Sequence, residues 1–132
     1  MLISQAEADM LIAMEKQRIS DENIELLALT PLNLNINLIS MDYKEEFVLS
    51  IWRSFFSLQK SSFRNFAKKT ITLVRVDLGG RPHRNPDGEE IGCPHIHIYR
   101  EGFGDKWAFE LPTEKFSDPS NFLTTHRDFL SY

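Results

Sequence analysis

Residues 69–99 read KTITLVRVDLGGRPHRNPDGEEIGCPHIHIY, and the fold depends on how the two ends of this stretch are read. At its start, Thr72, Val74 and Val76 alternate with Ile71, Leu73, Arg75 and Asp77, the two-residue period of a strand. At its end, Ile96 and Ile98 alternate with His95, His97 and Tyr99. Between them lie closely spaced glycines and prolines, with Asn85-Pro86-Asp87-Gly88 as the sharpest turn signal. The stretch therefore predicts two antiparallel strands joined by one long connection.

The alternation continues outward. In PLNLNINLIS (31–40), Leu32, Leu34, Ile36 and Leu38 alternate with Asn33, Asn35 and Asn37, as in a half-buried strand. EFVLSIWRSFFS (46–57) is a second β-rich run, and KWAFEL (106–111) follows the EGFGD turn as a last strand. LQKSSFRNFAKK (58–69) is polar and basic with Phe63 and Phe66 interleaved, and reads either as a continuing strand or as a connection. Ser4 followed by Glu7 forms a capping-box signal, which predicts a helix over about 5–18 with Ala6, Met10, Ala13 and Met14 at helical spacing. DENIELLAL (21–29) fits a short helical turn that Pro31 must end. A terminal helix is predicted within 117–132, with Asp118 as its cap, Pro119 at its first position, and Phe122, Leu123, Phe129 and Leu130 as its apolar side. The expected fold is α+β: a five-stranded, mainly antiparallel meander sheet flanked by an N-terminal and a C-terminal helix, in one domain spanning 1–132.

Composition narrows the class. The chain has 132 residues, 42% of them hydrophobic, enough for one core and too many for global disorder. No apolar run approaches the ~20 residues that cross a bilayer, and the acidic N-terminus lacks the basic start of a signal peptide. No membrane partner is expected. Cys93 is the single cysteine, so a cytoplasmic setting is the default. The net charge of −4 argues against bulk nucleic-acid binding, but its distribution is uneven. Lys60, Arg64, Lys68, Lys69, Arg75, Arg81 and Arg84 stand against the single acid Asp77 in that segment. Such a segment either decorates a solvated strand edge or steers a polyanion locally.

The candidate site lies on one face of the hairpin. His95, His97 and Tyr99 point one way from their strand, Arg75 and Asp77 can lie opposite them, and His83 sits in the connection. Imidazole exchanges protons near neutral pH. His95, His97, Tyr99, Asp77 and His83 are thus candidate catalytic residues for metal-independent RNA cleavage, with Arg75, Arg81, Arg84, Lys68, Lys69 and Arg64 as nucleic-acid contacts. No cofactor is expected. If a metal binds, His95 and His97 are its candidate ligands, with His83, or else Asp77 or Asp87, completing the site. The plainer alternative is a set of ordinary half-exposed sheet residues with an Arg75–Asp77 surface pair. His126 reads as helix surface, and Cys93 as structural.

The segment 73–111, with its R-x-D, PH-x-NPDG, H-x-H-x-Y-x-EG and KWA elements, resembles a family of uncharacterised small bacterial and prophage-associated proteins. More distantly, Asp77, Pro82-His83 and Pro94-His95-Ile96-His97 are similar to the matching elements of TumE-like toxins from toxin–antitoxin pairs. That resemblance implies an RNA-directed toxin with an antitoxin partner. Three functions are therefore expected: RNA binding or metal-independent RNA cleavage; a non-enzymatic mobile-element protein that binds a host protein or behaves like an antitoxin, for which the acidic residues before 47 are suited; and a metal-dependent hydrolase using the His pair.

Overall fold

A computed structural model of the chain describes residues 3–19, 32–54, 60–130 and 132. Helix α1 spans Gln5–Ala13 and opens at Ser4, whose side chain accepts a hydrogen bond from the Glu7 amide at 3.1 Å. It stops well before Arg18. Lys16 Nζ donates to the carbonyls of Leu11, Ile12 and Met14 at 2.9, 3.3 and 2.8 Å, satisfying acceptors that a helix end leaves open. Lys16–Arg18 is then a short strand, β1. The residues that α1 buries are Ala8 and Leu11, whereas Met10 of the expected stripe is 54% exposed.

The remaining elements are β2 (Leu32–Ser40), β3 (Glu46–Arg53), β4 (Ser61–Ala67), β5 (Ile71–Leu78), a small hairpin of β6 (His83–Arg84) and β7 (Glu90–Ile91), β8 (His95–Ile98), β9 (Ala108–Glu110) and α2 (Phe122–Leu130). The main sheet has seven strands in the order β1-β2-β3-β4-β5-β8-β9, and every pairing is antiparallel. The expected meander is therefore right in kind and short by two strands. One addition is β4, in the segment that read as strand or connection. Its Phe63 and Ala67 are buried in the core, but adjacent buried serines at 61 and 62 blur the alternation. The other is β1, taken from the expected helix.

A bulge corrects the expected faces of β5. Asn65 pairs with Val74 while Phe66 pairs with Thr72, so Leu73 is an extra residue without a partner in β4. Leu73 and Val74 both turn into the core together with Ile71, Val76 and Leu78. Only Thr72, Arg75 and Asp77 remain partly exposed. Ile71 and Leu73 thus do not share the face of Arg75 and Asp77, as plain alternation predicts.

Helix α2 begins later than expected. Asn121, not Asp118, caps it, accepting from the Thr124 amide at 3.0 Å through Oδ1. Phe122 and Phe129 pack their rings 5.2 and 5.7 Å from Phe63 of β4, and Leu130 is 58% exposed. Both helices join one core cluster with Leu49, Ile51, Phe63, Val76 and Ile96. The cross-strand row Ile51–Phe63–Val76–Ile96 marks this as one sheet face. The opposite face carries the alternate, polar residues and positions the candidate site. The expected turn at 21–29 and residues 55–57 of the second expected strand lie outside the described residues. Among the described residues, no helix is long and apolar enough to cross a membrane.

Candidate functional site

Two cross-strand rows run over the outer face. One pairs Asn33, Trp52, Ser62, Asp77, His95 and Glu110 in succession; the next pairs Asn35, Ser50, Arg64, Arg75, His97 and Ala108. Directly opposed side chains on neighbouring strands touch, so the register alone brings Asp77 to His95 and Arg75 to His97. These contacts span 18 and 22 residues of sequence.

His95 and His97 are only 2% and 0% exposed, although they sit on the helix-free face. The long connection folds back over them. Asn85 holds β9 through both ends of its amide, donating from Nδ2 to the Ala108 carbonyl at 2.9 Å and accepting at Oδ1 from the Ala108 amide at 2.8 Å. His83 Nε2 lies 2.6 Å from the Lys106 carbonyl, and its ring meets that of His97 edge-on at 4.5 Å. Cys93 ties the connection's ends, accepting from the Gly80 amide at 3.3 Å and donating to the Asp77 carbonyl at 3.2 Å, which is the structural role expected of it.

The protons in the cluster follow from donor inventory. A guanidinium only donates, so His97 Nε2, 2.8 Å from Arg75 Nη2, accepts. The His97 proton therefore sits on Nδ1, which donates to the Asp105 carbonyl at 2.7 Å. Asp77 Oδ2 lies 3.3 Å from His97 Nε2, 3.1 Å from His95 Nε2 and 3.2 Å from Arg75 Nε. Because His97 Nε2 is committed to Arg75, we assign the hydrogen bond to Asp77 to His95. Burial pushes the Asp77 carboxyl up. The His95 hydrogen bond and the Arg75 charge outweigh it and hold the group well below the usual carboxylate range. Asp105 completes the set, with Oδ2 3.0 Å from Arg75 Nη1.

An open groove of about 490 Å³ runs over this cluster. Asp77 and His95 line it together with Trp52, Lys60, Arg64 and Arg81. Trp52 is 37% exposed. Lys60, Arg64 and Arg81 have no ion-pair partner among the described residues. The groove is thus locally cationic on a chain of net negative charge, with one aromatic face available for stacking.

The expected residues divide accordingly. His83, His95, His97, Asp77 and Arg75 come together, and Arg64 and Arg81 border the same groove. Tyr99 stands apart. It follows the end of β8, is 3% exposed, and its hydroxyl donates to the Ile3 carbonyl at 2.7 Å and accepts from the Ile3 amide at 3.0 Å. Lys68 and Lys69 occupy the β4–β5 turn with φ of 50° and 71°, at the opposite end of these strands from Leu78. Lys68 Nζ lies 3.5 Å from Glu7 and 3.8 Å from Glu45. Arg84 is exposed and pairs with Glu90 at 3.3 Å. Trp52 and Asp105 belong to the site without any expectation that they would, and Lys60 joins it from the basic run expected to steer a polyanion. The alternation of β3 carried a signal for Trp52, a lone large aromatic in phase with Ser50 on the polar face. Asp105 sits in a segment that reads only as a turn.

A model of the family described as Family of unknown function (DUF6978) matches residues 3–132. No curated protein and no solved structure matches the chain.

Proposed function

We propose that this chain, which belongs to the DUF6978 family of unknown function, binds single-stranded RNA across the outer face of its sheet. One observation carries the proposal: Arg64 faces Arg75 across adjacent strands and, with Lys60, Arg81 and Trp52, surrounds a groove floored by Asp77 and His95. Unpaired cations beside an exposed aromatic are the means by which single strands are held, through phosphate contacts and base stacking. The groove volume of about 490 Å³ is in the range of small-ligand sites. Asn33, Ser50 and Ser62 also line it and offer hydrogen-bonding groups for a ribose 2′-hydroxyl.

Binding is favoured over metal-free acid–base cleavage because such cleavage needs ring nitrogens free to meet the substrate. Both nitrogens of His97 are engaged, by Asp105 and Arg75, and one of His83 is held by Lys106. The test is fluorescence anisotropy of a short labelled single-stranded RNA with wild type, Arg64→Glu and, as a control at the far turn, Lys69→Glu. Arg64→Glu should weaken binding about tenfold or more, roughly 1.4 kcal/mol, while Lys69→Glu stays near wild type. Equal binding by all three proteins would remove the groove from the account.

A further inference from the structure

We infer that Asp77, His95 and His97 form a binding site for a divalent transition-metal ion, with zinc the first ion to test. This rests on the RNA-binding reading only for what the ion would face, since the geometry below does not involve a ligand in the groove.

One ligand atom from each of the three residues lies within 4.8 Å of the others. Tetrahedral zinc with bonds of about 2.0–2.1 Å places its ligand atoms about 3.3 Å apart. Two of the three edges already have that length: Asp77 Oδ2 stands 3.1 Å from His95 Nε2 and 3.3 Å from His97 Nε2. The third edge, between the two imidazoles, is within 4.8 Å. The pairing of β5 with β8 brings all three residues together.

The outer contacts point the same way. A metal-binding histidine usually gives its other ring N–H to a carbonyl or carboxylate, which fixes the ring and frees the coordinating nitrogen. His97 does this with the Asp105 carbonyl at 2.7 Å, and His95 has the Gly92 carbonyl 3.3 Å from its Nδ1. With both protons on Nδ1, two nitrogen lone pairs and a carboxylate oxygen converge on one point. Without metal, the Nε2–H of His95 and the guanidinium of Arg75 occupy that point. A metal ion would take over that position, and Arg75 would keep its contact with Asp105 at 3.0 Å.

The donor set also selects the ion. Two imidazoles and one carboxylate suit zinc and its first-row neighbours, whereas magnesium and calcium prefer all-oxygen sites. Three protein ligands leave a coordination position open. Asp77 and His95 line the cationic groove, so an ion they held would border it.

The experiment titrates Zn²⁺ and Co²⁺ into EDTA-treated, then desalted, protein, following heat by calorimetry and the Co²⁺ absorption spectrum. Wild type should bind one ion per chain and give a cobalt spectrum with nitrogen ligation. Asp77→Asn and His95→Ala should each weaken binding tenfold or more, Arg75→Met should retain it, and His126→Ala should match wild type. Circular dichroism establishes that each variant is folded, and the wild-type cobalt spectrum and stoichiometry need no variant at all. Absence of saturable one-to-one binding by wild type overturns the inference, as does unchanged affinity in folded Asp77→Asn. RNA binding is measured separately in EDTA. RNA binding without metal binding refutes this inference alone, and metal binding without RNA binding refutes the RNA reading alone.

Discussion

Arg64 and Arg75 are direct cross-strand partners on β4 and β5, two like charges side by side on the open face of the sheet. Asp77 and Asp105 answer the charge of Arg75, and Arg64 has no such partner among the described residues. Directly opposed like charges cost stability, about 0.2–1 kcal/mol. Arg64→Met should therefore raise stability by about that amount in low-salt urea unfolding while weakening RNA binding. A variant that loses both would make Arg64 a structural residue and leave the groove without its main argument.

Asn85 is 5% exposed and closes a two-bond pair with the backbone of Ala108. Asn85→Ala leaves the buried amide and carbonyl of Ala108 without their partners, at a cost of about 1–3 kcal/mol. The midpoint of urea unfolding should fall accordingly. A change within about 0.5 kcal/mol, the range of ordinary surface substitutions, would mean that the connection is not held over the histidines by this residue.

Tyr99→Phe removes only the hydroxyl that joins β8's end to Ile3. The expected result is a stability loss of about 1 kcal/mol with RNA affinity unchanged. Lost binding at wild-type stability would return Tyr99 to the site.

His126 packs against Phe63 at 5.8 Å, and its Nδ1 has no hydrogen-bond partner among the described residues. Burial disfavours the imidazolium and lowers its pKa from the ordinary 6.5. The unfolded chain then binds the proton more tightly than the folded one. Stability from this group is complete above about pH 6.5 and falls as pH drops below it. Wild type should lose more stability than His126→Gln between about pH 7 and 5.5. Parallel losses would show that His126 does not titrate differently on folding.

The strands that flank a tight alternation were legible because burial on one face leaves a two-residue period. Leu34 and Ile36 against Asn33 and Asn35 is the clearest case. The Asp77–His95 and Arg75–His97 neighbours were legible for the same reason, once the hairpin was taken as antiparallel. Tyr99 shows the limit of that rule: it is in phase with His95 and His97, but β8 ends at Ile98, and beyond a strand's end alternation no longer sets direction. The bulge at Leu73 is another limit, since no glycine or proline marks it. Trp52 is in phase with Ser50 on β3, so the same period marks its face, whereas Lys60 and Asp105 lie outside the strands and reach the groove or the cluster by tertiary contacts, which no spacing along the chain encodes. Helix α1 stops where Lys16 caps it, a side-chain effect that competes with helical spacing and cannot be read from periodicity.

The most direct measurement places RNA at the groove by fluorescence. The chain has two tryptophans, and Trp107→Phe leaves Trp52 as the only indole emitter. Titration of this variant with short single-stranded RNA should change Trp52 emission saturably, with the same affinity found by anisotropy, and an equal concentration of duplex RNA should change it little. RNA binding by anisotropy with no change in Trp52 emission would contradict the account, because the strand would then lie elsewhere on the protein.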